Sequence, residues 1–299
     1  MLKYGSERNK GGLMKYQPSS IYLSGNKVKL LKDILPHIEQ TGRSTIIEPF
    51  VGTGVVSLAC LESGLVSQSY GNDIMDWVVN LHNSLKDPKF ILEVSKVNAK
   101  YKDTETGYLK LRDSYNKGGC KSHAELFCLM LRGNSNRVRF SGRGKTLKHN
   151  IPWGKRNPFN MERMLRHHTL SQNMTVTQSS FATFLHGLED KVDWNDTTVY
   201  LDSPYQTGGK SGGAVYNAGW SDIDDDVLLD CLLKYQQKGA KVICSNVHFN
   251  RGFIFKKLID FCEEHSDKFD TYHLDMDYRN TSAYKYDGDK TDEVLIVSK

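Results

Sequence analysis

The order of strand, glycine turn and helix in residues 44–61 limits the fold of this chain more than any other feature. Residues 44–50 (STIIEPF) predict a short buried strand, Gly52 and Gly54 predict a tight turn, and residues 55–61 predict the start of a helix. Glycines let the backbone approach a ligand closely, and the first turn of a helix offers free amide groups. We therefore expect an α/β protein with a ligand site where this strand ends.

Strand and helix patterns alternate at both ends of the chain, whereas the middle is predicted to be helical. Apolar patterns predict further strands at residues 69–73, 197–201, 241–245 and 293–297, and helices at residues 77–85, 90–101, 124–131, 222–237 and 253–265. This alternation predicts a doubly wound sheet interrupted by an inserted, mainly helical module. The predicted domains are a basic N-terminal arm (1–18), a sheet domain (19–80 with 161–299) and an inserted domain (81–160).

Composition excludes several classes of protein. With 38% apolar and 25% charged residues, the chain is expected to form a packed core. The longest apolar run, residues 126–131, falls far short of the roughly 20 residues of a membrane span, and the polar N-terminus predicts no secretory signal. The six cysteines form no CxxC pair, which predicts neither a zinc site nor disulfides and indicates a reducing cytoplasm. The acids at 222 and 224–226 lack calcium-loop spacing, so we expect them to cover a helix N-terminus and expect no metal site.

Positive charge is concentrated in one part of the chain. Residues 126–161, called the basic segment below, contain no Asp or Glu but eight Lys and Arg residues, which exceeds the net charge of +5 of the whole chain. A basic segment in an otherwise slightly acidic protein predicts a polyanionic partner. Arginine and amide side chains read base edges, and aromatic side chains insert between bases. The candidate nucleic-acid contacts are Arg132, Asn136, Arg137, Arg139, Phe140, Arg143, Lys145, Lys148 and Asn150.

An acidic corner, Asp202-Ser203-Pro204-Tyr205, follows the strand predicted at residues 197–201. Pro204 fixes its own φ and pushes Ser203 toward extended geometry. The Ser203 carbonyl and the Asp202 carboxylate are then able to point the same way. Two converging acceptors suit an amine donor, and Tyr205 offers a face to a planar ring.

A second acid, Asp73, ends another predicted strand 19 residues after Gly54. An acid at this place in an α/β sheet bonds a ribose hydroxyl. The turn itself is a weak dinucleotide fingerprint, because Ser57 stands where the third glycine is expected. Alone, the turn also fits a purely structural strand-to-helix corner.

Taken in order along the chain, these motifs resemble those of the Dam-like, alpha-class adenine-specific DNA methyltransferases. The matching segments are 22–27 (YLSGNK), 48–54 (EPFVGTG), 72–74 (NDI), 150–154 (NIPWG), 202–205 (DSPY) and 292–295 (DEVL). Cofactor loop, recognition insert and catalytic tetrad follow each other as in that class. The resemblance implies a Rossmann-like methyltransferase sheet that uses S-adenosylmethionine and carries an inserted DNA target-recognition domain.

The resemblance also implies roles for single residues. Lys27 is expected to meet the methionine part of the cofactor, Asp73 its ribose, and Ile74 and Phe181 its adenine. The implied cofactor residues are Tyr22, Leu23, Lys27, Glu48, Pro49, Phe50, Gly52, Gly54, Asp73, Ile74, Phe181 and Asp202. The implied catalytic tetrad is Asp202, Ser203, Pro204 and Tyr205, with Ser203 where the family usually has a proline (D-P-P-Y).

The expected partner is double-stranded DNA, methylated at a short palindrome such as GATC. The resemblance implies a protein of the cytoplasm of a bacterial or phage-infected cell, and we expect a monomer. The sequence does not identify a cognate restriction endonuclease.

Three other readings fit parts of the same sequence. The first is an enzyme of this fold that methylates the exocyclic amine of cytosine, or RNA. The second is a DNA-binding relative with weak or absent catalysis, which Ser203 keeps open. The third is a nicotinamide oxidoreductase, which explains Gly52, Gly54 and Asp73 but neither the acidic corner nor the basic segment.

Overall fold

The computed structural model describes residues 16–23, 25–155, 159–204, 220–250, 253–274 and 291–299. Most of the predicted N-terminal arm, and the predicted catalytic residue Tyr205, lie outside the described residues. The chain divides into two compact units. The first comprises residues 1–32, 51–64 and 73–178, and the second comprises residues 33–50, 65–72 and 179–299.

Helices and strands alternate along most of the chain. The helices are α1 (Leu31–Glu39), α2 (Val55–Glu62), α3 (Asp76–Leu85), α4 (Pro88–Lys100), α5 (Glu105–Lys117), α6 (His123–Arg132), α7 (Met161–Ser171), α8 (Phe181–His186), α9 (Asp222–Gln237) and α10 (Lys256–Glu264). The strands are β1 (Thr45–Glu48), β2 (Gln68–Asp73), β3 (Phe140–Ser141), β4 (Lys148–His149), β5 (Met174–Gln178), β6 (Thr197–Leu201), β7 (Lys241–Asn250), β8 (Phe253–Ile254), β9 (Phe269–Leu274) and β10 (Asp292–Ser298).

The second unit contains a mostly parallel sheet with the strand order β2-β1-β6-β7-β10-β9. Strand β1 is parallel to β2 and to β6, and β6 is parallel to β7. Strand β10 is antiparallel to both of its neighbours, and β8 folds back on β7. The chain passes from β1 to β2 on one side of β1 and later returns to β6 on its other side. The strand order therefore reverses at β1, and the carboxyl ends of β1 and β6 form a topological switch point. This arrangement confirms the predicted α/β, doubly wound, Rossmann-like fold class.

Apolar strands covered by helices stabilise this sheet. Every residue of β6 (TTVYL) is buried, which is typical of parallel strands covered on both faces. The core joins Ile47, Val199 and Val242 from the strands to Leu232 of α9 and Phe261 of α10.

The first unit is mainly helical. Helix α6 packs against α3, α4 and α5, and its residues 126–131 are all buried. The basic segment begins within α6 and continues through the antiparallel pair β3 and β4. Phe140 of β3 packs against Tyr115 of α5 and His149 of β4, with ring centroids 6.4 and 5.9 Å away.

Some predicted elements agree with the structure at both ends, and others differ at one end. The predicted strand 197–201 coincides with β6, and the predicted helix 222–237 coincides with α9, whose Ser221 and Asp224 form the expected capping box. Strand β7 continues to Asn250, five residues beyond the prediction. The predicted helix start at Phe253 was wrong, because residues 253–254 pair with β7 and α10 begins at Lys256.

No helix in the described ranges is long and apolar enough to span a bilayer.

Candidate active site

In the second unit, parallel strands β1, β2 and β6 bring their carboxyl ends to one edge of the sheet. Glu48 is the last residue of β1 and is buried, and Asp202 directly follows β6. The Asn72 amide of β2 donates to the carbonyls of Pro49 (3.1 Å) and Ser179 (3.0 Å). These bonds fix the turn after β1 against the segment that precedes α8.

This edge carries negative charge. Burial, and then the charges of Asp202 and Glu48, raise the pKa of the buried Tyr200 phenol well above its ordinary value. The phenol therefore stays neutral near two carboxylates.

Three aromatic rings lie together in the second unit. Phe50, which follows β1, lies 5.1 Å from Phe181 of α8 and 5.7 Å from Trp220, measured between ring centroids. Phe181 lies 5.6 Å from Trp220, whose indole donates to Asp225 at 2.7 Å. Phe50 and Phe181 were predicted from the sequence. Trp220 was not, because it carries no motif of its own beyond its place before the Ser221 cap.

The corner after β6 is buried at Ser203, and Asp202 and Pro204 are half-buried. The Ser203 hydroxyl accepts a hydrogen bond from the Asn246 amide of β7 at 3.3 Å. Asn246 was not selected from the sequence, because no local pattern places a residue of one strand beside a corner that follows another.

In the first unit, the glycine turn and Asp73 are hydrogen-bonded to each other. Gly52 and Gly54 have φ values of +45° and +67°, which glycine adopts readily. The Asp73 carboxylate accepts from the backbone N–H of Gly52 at 3.1 Å and of Met75 at 2.9 Å. Burial nevertheless outweighs these bonds and raises the pKa of Asp73 to about 6. Ile74, expected beside an adenine, is 65% exposed and available to a ligand.

A buried histidine, which the sequence analysis missed, supports this turn. The His82 ring donates to the Gly52 carbonyl at 3.0 Å, and a Cβ added at Gly54 would lie 2.8 Å from its Cε1. Burial lowers the pKa of His82 to about 4, so the ring is neutral at physiological pH. Glycine at position 54 therefore leaves the space that this ring occupies.

The N-terminal motif also contacts the turn. Leu23 is buried, and its Cδ1 would lie 3.8 Å from a Cβ at Gly52. The Tyr22 hydroxyl accepts from Arg163 of α7, whose guanidinium also lies 5.6 Å from the centre of the Tyr22 ring. Lys27 is buried at the start of a short 3₁₀ helix, and Ser24 of the same motif lies outside the described residues.

The basic segment exposes most of the predicted nucleic-acid contacts. The exposed ones are Arg137, Arg139, Arg143, Lys145 and Lys148. Arg139 donates through Nε to the half-buried Asn150 at 2.7 Å, which holds these two predicted contacts together. Phe140 is half-buried between Tyr115 and His149, so it supports the strand pair.

Two of the predicted contacts have structural partners. Arg132 is 1% exposed and donates to the carbonyls of Tyr101 and Asn98, each at 2.9 Å. The prediction that Arg132 contacts DNA was therefore wrong, because DNA does not reach a buried side chain. The amide nitrogen of the half-buried Asn136 donates to the carbonyls of Met130 and Leu131 at the end of α6.

The doubly wound sheet, with acids and aromatic rings at the carboxyl ends of its strands, defines an α/β protein of the class that binds ligands at the switch point of the sheet. The sequence profile of the D12 class N6 adenine-specific DNA methyltransferases matches residues 23–276, and the chain belongs to this family. Membership confirms the resemblance found in the motifs, and it implies S-adenosylmethionine as methyl donor and DNA as substrate of the family.

A curated relative and two solved structures are similar to this chain. The chain is 25% identical over 300 residues to the Type II methyltransferase M.FokI of Planomicrobium okeanokoites, in an alignment that covers 95% of this chain and 43% of the relative. The chain thus spans less than half the length of that protein. The rRNA methyltransferase aviRa from Streptomyces viridochromogenes matches with a TM-score of 0.39 and 12% identity over 93% of this chain and 88% of the other. The methyltransferase domain of bacterial CtHen1 matches with a TM-score of 0.37 and 10% identity over 89% and 96%.

Proposed function

We propose that this chain methylates the N6 amine of adenine in double-stranded DNA. The observation that carries the proposal is the Asp202–Ser203 corner at the carboxyl end of β6, in a chain that belongs to an adenine-specific DNA methyltransferase family. Such a corner offers a carboxylate and a backbone carbonyl to one amine.

The first unit offers groups that fit parts of S-adenosylmethionine. The buried Asp73 carboxylate suits the ribose hydroxyls, the exposed Ile74 suits an adenine face, and the glycine turn leaves room for close backbone approach. Lys27, which is buried in the same unit, suits the carboxylate of the methionine part. When bound, this cofactor supplies an activated methyl group.

The chemistry requires only orientation of the adenine amine. The amine donates to the Asp202 carboxylate and the Ser203 carbonyl, which draws its lone pair out of conjugation with the ring and aims it at the methyl group. A neutral arylamine is far too weak an acid to lose its proton to a carboxylate first, so Asp202 orients the amine and stabilises the positive charge that develops. Methyl transfer would break the S–C bond of the donor and release S-adenosylhomocysteine, and the methylated amine would then lose its extra proton to water. No protein nucleophile is required.

The target adenine must leave the duplex to reach such a corner. Unstacking costs a few kcal/mol, and stacking on the Tyr205 ring returns about 1–3 kcal/mol. The exposed cations of the basic segment neutralise phosphates, and the paired Arg139 and Asn150 offer donors and acceptors to base edges.

The finer organisation belongs to the same proposal. Residues 81–160 recognise the DNA target, and residues 19–80 with 161–299 bind the donor and carry out the transfer. The protein acts as a monomer on a short palindrome such as GATC, in the cytoplasm of a bacterial or phage-infected cell.

The proposal is tested by incubating the purified protein with tritiated S-adenosylmethionine and duplex DNA at low salt, with duplex RNA of the same sequence as control. Digestion to nucleosides should place the label in N6-methyladenine from DNA. Label in a cytosine product or in RNA would support the first rival reading. Label that stays in the cofactor, while the protein still binds DNA, would support a DNA-binding relative without catalysis.

A further inference from the structure

The corner after β6 has a partner on the neighbouring strand. Strand β6 ends at Leu201, which is paired with Cys244, but β7 continues to Asn250. When this register is continued by two residues, Ser203 lies opposite Asn246. The longer strand therefore places Asn246 beside the corner.

The orientation of the Asn246 amide is set by its own backbone. Its Oδ1 accepts from the N–H of Val247 at 2.8 Å, so its Nδ2 is the atom directed to the Ser203 hydroxyl, 3.3 Å away. Asn246 is 7% exposed and Ser203 is 2% exposed. A hydrogen bond at such a buried place is shielded from competition with water.

The Ser203 hydroxyl can contribute to the conformation of the corner, because Ser203 stands where the family usually has a proline and lacks the restraint of the proline ring. A proline restrains φ by covalent geometry, whereas a serine at the same position is free to rotate unless another group holds it. The bond from Asn246 restrains the Ser203 side chain, and through it the backbone whose carbonyl would accept from the adenine amine.

We propose that Asn246 is a positioning residue for methyl transfer, which holds Ser203 so that its carbonyl meets the adenine amine. The inference rests on the proposed function. The proposed role of Asn246 involves no contact with the donor or the DNA, so Asn246 acts on the rate of transfer rather than on binding.

The test is a double-mutant cycle on single-turnover methyl transfer with Asn246→Ala and Ser203→Ala. Each variant should lower the rate constant about tenfold, because small misplacements of a reacting group are costly. The KM values for donor and DNA should change less than about threefold. Because both changes break one hydrogen bond, the double variant should be no slower than the slower single variant.

Two further variants separate positioning from folding. Asn250→Ala is the matched control, because Asn250 is a buried asparagine of the same strand that accepts from Thr291 at 3.2 Å. It should keep the wild-type rate constant. In a Ser203→Pro background, where the ring replaces the hydroxyl, adding Asn246→Ala should change the rate less than about threefold.

Several results would overturn the inference. One is a wild-type rate constant in Asn246→Ala, and another is an effect of this variant on KM alone. A third is a double variant whose loss equals the two single losses combined. The fourth is a tenfold loss of the rate constant when Asn246→Ala is added to Ser203→Pro. If Asn246→Ala fails to fold, Ser203→Ala decides alone, and an unchanged rate constant overturns the inference. If the wild type transfers no label, the proposed function fails and the inference fails with it. If the wild type is active and Asn246→Ala is equally active, only the inference fails.

Discussion

Asp73 shows how burial and hydrogen bonding compete at a single residue. Two backbone N–H groups donate to its carboxylate, yet burial dominates and raises its pKa to about 6 from an ordinary value of 3.8. A raised pKa in the folded state means that this residue stabilises the fold below its unfolded pKa. That contribution is lost as the pH rises through the folded pKa. The ionised form, which a ribose hydroxyl prefers as an acceptor, therefore forms at a cost in stability.

We accordingly expect affinity for S-adenosylhomocysteine to rise as the pH increases from about 5 to about 7, because Asp73 ionises in this range. Calorimetric titration across this range measures the effect. In Asp73→Asn the affinity should be lower and this rise should disappear. A rise that persists unchanged in Asp73→Asn would assign it to another group.

Some single residues could not be interpreted correctly from the sequence, because their roles depend on tertiary contacts. Arg132 ends the apolar run of α6, and its charge suggested a DNA contact, but its burial against α4 depends on tertiary packing that the sequence does not display. Asn246 and His82 were missed for the same reason, since each contacts a motif that is distant in sequence. Asp202 and Asp73 could be selected as candidates from the sequence because Asp202 directly follows a recognisable strand and Asp73 ends one.

At the scale of elements, the turn between β1 and α2 depends on the helix behind it. His82 of α3 bonds the Gly52 carbonyl and fills the space beside Gly54. Both the backbone conformation and the available volume at position 54 thus require glycine.

We predict that Gly54→Ala destabilises the protein more than Gly64→Ala does. Both residues have positive φ, +67° and +69°, but a Cβ at Gly64 meets nothing within 4 Å. The control should cost about 1 kcal/mol of unfolding free energy for its left-handed backbone. Gly54→Ala should cost about 2 kcal/mol or more, because its Cβ also meets the buried His82 ring. Chemical denaturation measures both, and equal losses would contradict the role given to His82.

The elements predicted best from the sequence are those with strong apolar patterns. Strand β6 and helix α9 agree with the sequence at both ends, because a run of buried residues and a capping box mark their limits. Strand β9 (FDTYHL) was missed, since exposed polar residues interrupt its apolar pattern. Helix α5 was also missed, although Thr104 caps it and Tyr108, Leu111 and Tyr115 are buried at helical spacing.

At the scale of the whole molecule, the distribution of charge favours a nucleic-acid substrate more than the net charge does. Among the described residues of the basic segment, six Lys and Arg residues are exposed, while the acids Glu48 and Asp202 lie at the carboxyl ends of β1 and β6 in the second unit. Phosphate contacts release counterions, so they make binding depend on salt.

We predict that Lys145→Ala combined with Lys148→Ala lowers the slope of log K against log salt by about 2, since each phosphate contact contributes about 0.9. The matched control replaces Lys96 and Lys110, which are exposed lysines of the first unit outside the basic segment. Fluorescence anisotropy with a labelled duplex measures both slopes. Equal slopes in the two double variants would place the DNA elsewhere.

The proposed function requires that the corner after β6 orients an adenine amine, and Asp202→Ala removes one of its two proposed acceptors. The measurement is the single-turnover rate of tritium transfer to duplex DNA at saturating donor, together with DNA affinity. We predict a loss of at least about a hundredfold in rate, typical of losing a group that acts at the transition state, with DNA affinity unchanged. A rate within about tenfold of wild type would contradict the proposed role of Asp202, because it would show that the reaction does not depend on this carboxylate.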